Sequence, residues 1–249
     1  MPVTAILLAA GYATRLYPLT KDRPKALLPL GSGVILDAVL QSMADATDIV
    51  KRVLVTNHRF AEQFRTWQAA THAPVEIIDD GTDTAQTRLG AIRDLELART
   101  RGGAVGDLLV LGTDNLFGWP MRRFLDPAQA RRPDPSIGIW ELPEGADASQ
   151  FGIVTCDRGT TKISAFVEKS KTPPSRQVAL CLYYFPEPML GEIGRFLAEG
   201  GNPDAPGYFL EWLVRQRAVH AVPLRGAWYD IGSLGAYQDV LTAWPPQTK

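Results

Sequence analysis

Apolar positions along the chain follow two rhythms. Short β-branched runs at 3–8, 52–56, 75–78, 108–111 and 136–140 lack strict polar alternation, as strands do when both faces of a sheet are covered. Between them, 36–43, 60–70, 88–99 and 121–130 carry apolar residues at spacings of three and four, the mark of amphipathic helices. The first half therefore predicts a repeated βα pattern and a mostly parallel, right-handed sheet. After residue 136 the rhythm changes. Residues 151–156 and 163–168, joined by a turn at Asp157, Arg158 and Gly159, predict a β-hairpin, and 178–185 predicts another strand. Helices at 188–198 and 208–216, a strand at 219–223 and a closing helix at 234–243 complete the expectation.

Composition narrows the classes. With 249 residues, 45% of them apolar, the chain can bury an adequate core as one large domain or two small ones. No repeat or linker divides it, so one domain over 1–249 is expected. Its 26 basic and 27 acidic side chains create no global field for a polyanion, which excludes nucleic acid as a partner and makes any phosphate binding local. The apolar run at Val3 and 5–10 is far below the roughly 18 residues of a spanning helix and lacks a signal-peptide flank. No membrane association and a cytoplasmic location are the expectation. Cys156 and Cys181 form no CxxC pair, so reduced thiols are expected. Oligomeric state stays open, a homo-oligomer included.

Candidate chemistry concentrates in LAAGYATRLYPLTKDRPKALLPL, residues 8–30. A strand-to-helix connection needs two to six residues, and this one is several times longer. Strand one ends at Leu8, and in an open α/β sheet ligands sit beyond the carboxyl ends of strands. Gly11 can adopt positive φ, Ala9, Ala10 and Ala13 allow close backbone approach, and successive N–H groups can cradle an anion. Arg15 and Lys25 add cations, while Pro18, Pro24 and Pro29 stiffen the loop. Neither the Walker loop nor the dinucleotide fingerprint matches. On chemistry alone, a solvated proline-rich loop remains the other reading.

The same stretch resembles the signature of the sugar-1-phosphate nucleotidylyltransferases, LAAGxGTRLxPLTxxxPKxLxPxxxxPxL. Leu8 to Arg15, Pro18 to Thr20, Pro24, Lys25 and Pro29 match in order and spacing. Ala13 replaces the second glycine, and Val34 stands where a proline is usual. Later landmarks extend the likeness to about Tyr237. The resemblance implies an α/β fold, a Rossmann-like three-layer sandwich with a mostly parallel mixed central sheet and an accessory β-hairpin and helical layer. Residues 1–135 would form a nucleotide-binding half and 136–249 an acceptor-binding half.

The implied reaction is attack by a sugar-1-phosphate oxygen on the α-phosphorus of a nucleoside triphosphate, with release of pyrophosphate and formation of an NDP-sugar. Such transfer needs alignment and charge neutralisation more than covalent help. Arg15, Lys25, Asp114 and Asp230 are the implied catalytic set. Asp114, in VLGTDNLF, resembles the family's GDN aspartate, with Thr113 in the glycine's place, and Asp230, in AWYDIGS, its second metal aspartate. Two carboxylates plus phosphate oxygens and water suit Mg²⁺. Taken singly, each aspartate also fits a helix cap or turn. Nucleotide contacts are implied at Leu8, Ala10, Gly11, Thr14, Arg15, Gly81 and Gln86.

On the acceptor side, Gly152 after Phe151, and Glu168 with Lys169, resemble the family's sugar and phosphate contacts, and Asn115 adjoins them. A carboxylate suits paired hydroxyls and an ammonium suits a phosphate. Adjacent residues on a strand face opposite ways, so a strand end or bulge is needed to aim both Glu168 and Lys169 inward. Residues 79–86 occupy the position of the family's glycine-containing base-pocket loop, where Gln86 can offer donor and acceptor to a pyrimidine edge. That favours TTP or UTP, with CTP or GTP open. Residues 87–90, TRLG, depart from the usual GxAxA run, and a plain helix starting near Thr84 fits as well. His58, His72 and His220 share no ligand spacing. Two other functions compete: a cytidylyltransferase acting on a small non-sugar phosphate or phosphonate such as phosphocholine, and a non-catalytic nucleotide-sugar-binding module.

Overall fold

A computed structural model describes residues 1–244. The first half runs β1 (Val3–Leu8), the short strands β2 (Pro29–Leu30) and β3 (Gly33–Val34), α1 (Ile35–Gln41), β4 (Ile49–Thr56), α2 (His58–Thr71), β5 (Glu76–Asp79), α3 (Ala91–Arg101), β6 (Asp107–Gly112), β7 (Asn115–Phe117) and α4 (Arg122–Gln129). The second half adds β8 (Ser136–Glu141), β9 (Gly152–Cys156), β10 (Ile163–Glu168), β11 (Gln177–Phe185), α5 (Gly191–Ala198), α6 (Pro206–Gln216), β12 (His220–Pro223), β13 (Trp228–Asp230) and α7 (Leu234–Ala243).

Nine strands form one mixed sheet that runs through both halves, with β10-β9-β11-β6-β1-β4-β5 as its main path and β8 and β12 attached through β11. β1 pairs parallel with β4 and β6, and β4 with β5. β11 then enters antiparallel beside β6, which turns the sheet mixed. Alternate side chains feed two apolar layers. Leu7, Leu54, Leu109 and Leu111 pack with Leu36, Phe60 and Phe124 of α1, α2 and α4 on one face. Ile6, Val53, Val55, Leu108 and Val110 pack with Leu95, Ile193 and Leu210 of α3, α5 and α6 on the other. Burial on both faces is why these strands read as unbroken apolar runs.

Several boundaries differ from the sequence pattern. The helix expected from residue 88 starts at Ala91, because its N-cap Gly90 has φ 93° and ψ 150°. A Cβ there would lie 2.6 Å from the carbonyl oxygen of Pro203, so only glycine lets that loop close on the helix start. Residues 84–87 instead make a tight turn, in which Thr87 N–H donates to Thr84 O at 3.1 Å. The helix expected from residue 188 resolves into a 3₁₀ turn at Glu187–Met189 followed by α5. β7 and β13, three residues each, were outside the expectation. They pair antiparallel, with Asp230 opposite Asn115.

Candidate active site

Leu8 and Gly112 end two parallel neighbours and stand side by side in register, so the loops that follow them emerge together. The first of those loops is tied down residue by residue. Asn57 caps α2 by accepting from Phe60 N–H at 3.1 Å, and its Nδ2 donates to Ala10 O at 2.9 Å. Tyr12 donates its hydroxyl to Thr82 O at 2.9 Å, and Thr20 Oγ1 donates to Ala13 O at 2.8 Å. Ala13 sits in the left-handed region at φ 47° and ψ 43°, which is where a glycine carries no penalty.

Beyond this loop lies a cavity of about 460 Å³, walled by Leu8, Ala10, Gly11 and Thr14 on one side and by Ala85, Arg88, Gly90, Ala91 and Asp94 on another. A second cavity of about 220 Å³ is lined by Asn115, Gly152, Glu168, Lys169 and Asp230 together with Phe151, Tyr183 and Trp228. Asp114, Cys181 and Pro206 belong to both, so the two spaces meet at the end of β6.

Charge at that junction is finely set. Lys25 Nζ lies 2.7 Å from Asp114 Oδ2 and donates to Ile231 O at 3.0 Å. Burial pushes the Asp114 carboxyl up, but the Lys25 ammonium outweighs it and holds the group below its ordinary value. Asn115 Nδ2 donates to Asp114 Oδ1 at 3.0 Å, and Trp228 Nε1 donates to Asn115 Oδ1 at 2.8 Å, which fixes the amide orientation. Asp230 is pushed up to about 6 by burial and by the charge of Asp114, against the pull of Lys25 and Arg15. Arg15 itself is exposed and reaches the site through this field rather than as part of either lining. Burial lifts the Cys181 thiol to about 12, so the residue shared by both cavities is an inert, protonated wall. Cys156 is likewise a free thiol.

On the acceptor side, β10 ends at Glu168 and Lys169 takes φ 50°. That left-handed step breaks the strand alternation and brings both side chains to one cavity, with Lys169 Nζ 3.7 Å from Glu168 Oε1. Burial raises the Glu168 carboxyl, and Lys169 opposes the rise. A Cβ on Gly207 would stand 1.7 Å from Glu168 Oε2, so the first turn of α6 is shaped around this carboxylate.

Two expected base contacts fall elsewhere. Gly81 and Gln86 are exposed and absent from the cavity lining, because the 84–87 turn carries Gln86 outward and presents Ala85 and Arg88 in its place. Among the described residues no group of three or more His, Cys, Asp or Glu side chains gathers as a metal cluster. The available donor set is the pair Asp114 and Asp230, which fits Mg²⁺, a cation that keeps waters and takes phosphate oxygens around one or two carboxylates.

The nucleotidyl transferase family model matches residues 4–245. The chain belongs to the nucleotidyl transferase family. A glucose-1-phosphate adenylyltransferase of Anaeromyxobacter dehalogenans is 29% identical over 94% of this chain and 63% of its own length. The mannose-1-phosphate guanylyltransferase catalytic subunit beta of Drosophila melanogaster is 26% identical over 92% and 59%. The chain thus spans about 60% of the length of these curated relatives. A solved UDP-glucose pyrophosphorylase in complex with UDP-glucose shares the fold at a TM-score of 0.79 and 17% identity, covering 98% of both chains. A Bacillus anthracis protein crystallised with sucrose superposes at 0.83 and 19% identity, over 99% of this chain and 96% of that one.

Within this member of the nucleotidyl transferase family, Asp94, Arg88, Asp204, Cys181 and Trp228 line the cavities without having stood out as ligand contacts in the sequence. Arg88 carried the one available signal, as a departure from the family's GxAxA run. No described helix is long and apolar enough to cross a membrane.

Proposed function

We propose that the protein transfers a nucleoside monophosphate from a nucleoside triphosphate to a sugar-1-phosphate, releasing pyrophosphate and forming an NDP-sugar. The observation that carries this is the junction of two cavities at Asp114, one behind a cationic, glycine-containing loop and one holding an acid and an ammonium side by side. The larger space suits a triphosphate against the amides of residues 9–14, with Arg15 and Lys25 as its cations. In the smaller space Glu168 accepts from sugar hydroxyls, Lys169 meets the acceptor phosphate, and Asn115 orients the acceptor. An acceptor phosphate oxygen bonds to the α-phosphorus as the bond from that phosphorus to the pyrophosphate oxygen breaks. Asp114 and Asp230 would hold Mg²⁺, which when bound neutralises phosphate charge. The protein's share is alignment and a fixed field, the terms that dominate this chemistry.

A matrix of five triphosphates against sugar-1-phosphates and small phosphorylated alcohols, with Mg²⁺ and pyrophosphate as readout, tests the reading. Turnover with a sugar-1-phosphate is expected. Turnover only with a phosphorylated alcohol, or none with any pair, overturns it.

A further inference from the structure

The α3 wall of the larger cavity carries a polar side chain that no ordinary partner holds. Asp94 is 6% exposed and lines the cavity, and its Oδ1 is fully buried with no hydrogen-bond donor. Asp80, just past β5, buries its Oδ2 in the same condition, while its Oδ1 accepts from Thr82 N–H at 2.6 Å. Neither Asp94 Oδ1 nor Asp80 Oδ2 has a donor, and Asp80 is the charge that acts most strongly on Asp94. Two neighbouring buried carboxyls repel when both are ionised, so the pair keeps one proton. Burial first, and the charge of Asp80 second, push Asp94 up to about 8, consistent with Asp94 holding that proton.

The neighbours of Asp94 are largely tied to the protein, Arg88 by two of its donors. Arg88 Nε lies 2.7 Å from Asp204 Oδ1 and Arg88 Nη1 donates to Ala85 O at 2.7 Å. Ile92 N–H donates to Pro203 O at 3.0 Å, and the Tyr12 hydroxyl donates to Thr82 O. A phosphate is a poor neighbour for an acid pair that keeps one negative charge. With its proton turned to Asp80, Asp94 offers the cavity an acceptor backed by that charge, and such an acceptor takes N–H groups. Guanine presents two adjacent N–H donors, and adenine and cytosine present an amino group. Thymine and uracil flank their single N–H with two carbonyl oxygens, which the acid pair repels.

We propose that Asp94, backed by Asp80, reads the nucleobase and selects a triphosphate whose base carries an exocyclic amino group, guanine foremost. The inference rests on the transfer reaction proposed above and replaces the pyrimidine preference expected from Gln86.

Calorimetric binding of GTP, ATP, CTP, UTP and TTP, each with Mg²⁺, to the wild type, Asp94→Asn and Asp94→Leu tests it. The wild type should bind an amino-bearing triphosphate at least about tenfold tighter than UTP or TTP. Asp94→Asn can donate its amide to Asp80 and keep a carbonyl toward the cavity, so the order of bases should survive. Asp94→Leu should erase the order. Equal binding, or a preference for UTP or TTP, in the wild type overturns the inference whether or not the leucine variant folds. A base order unchanged in folded Asp94→Leu overturns it too. Binding of none of the five removes the transfer reaction itself.

Discussion

Lys25 Nζ and Asp114 Oδ2 lie 2.7 Å apart across 89 residues of sequence, and the same ammonium reaches the carbonyl of Ile231 at 3.0 Å. The chain's own cation therefore neutralises the carboxylate that the proposed reaction gives to a metal ion. In the proposed reaction an arriving triphosphate would compete for Lys25 and free that carboxylate.

A lysine in a proline-rich loop is ordinarily an exposed cation whose loss spares the fold. The structure gives the Lys25 side chain 17% exposure and a close partner, which changes the expectation. Asp114 sits below its ordinary value, so the pair stabilises the fold above the usual carboxylate range and that stability is lost as pH falls through the lowered value. Lys25→Ala should lower Tm by a few degrees at pH 7.5, with the gap to wild type closing toward pH 3. An unchanged Tm at pH 7.5 would show that the pair contributes nothing to the free protein.

Asp230 works in the opposite sense. Its carboxyl is raised to about 6, so its favourable contribution is complete below the ordinary carboxylate value and is lost as pH rises through about 6. Asp230→Asn never ionises and should therefore raise Tm at pH 7.5 while leaving it unchanged near pH 3.5. Turnover should fall by about a hundredfold, the cost of one missing electrostatic contact in a transition state. Thermal scans at the two pH values, beside a pyrophosphate assay, check both halves. A lower Tm at pH 7.5 contradicts the assignment.

Gly207 is the handle on the acceptor cavity. Since a Cβ there would occupy the place of Glu168 Oε2, Gly207→Ala must expel the carboxylate. The KM for the sugar phosphate should rise about tenfold or more, while that for the triphosphate stays within a factor of two. Equal increases in both constants would separate Glu168 from acceptor binding.

Ala13 holds a left-handed backbone in the loop before the larger cavity. Alanine there costs about 1 kcal/mol, part of which glycine returns through its greater unfolded-state entropy. Ala13→Gly should raise Tm by about 1–2 °C and keep the activity, as melting curves and turnover can show together. A fall in Tm would mean that the methyl contributes more by packing than it costs in strain.

Much of this was legible beforehand. The end of β1, the long loop after it and Asp114 at the end of β6 could be placed because strand periodicity and a dense motif locate them without tertiary information. The alternating burial of Ile6 and Leu7, or of Val110 and Leu111, was not visible, but its result was, since both neighbours are apolar. Other parts depend on pairing that leaves no local trace. β7 and β13 are too short to show a period, yet their register alone sets Asp230 opposite Asn115. The left-handed steps at Ala13 and Lys169 sit at residues with no preference for them. Gly90 read as a departure from a motif because its reason, the approach of Pro203, comes from 113 residues further along the chain. Asp94 passed as an ordinary helix residue, and only its burial beside Asp80 distinguishes it.

The two cavities share Asp114, Cys181 and Pro206. A molecule long enough to occupy both compartments evicts the tenants of each, and the joined product of the proposed reaction is such a molecule. Product inhibition that is competitive against both substrates is the kinetic signature expected of two compartments joined in this way.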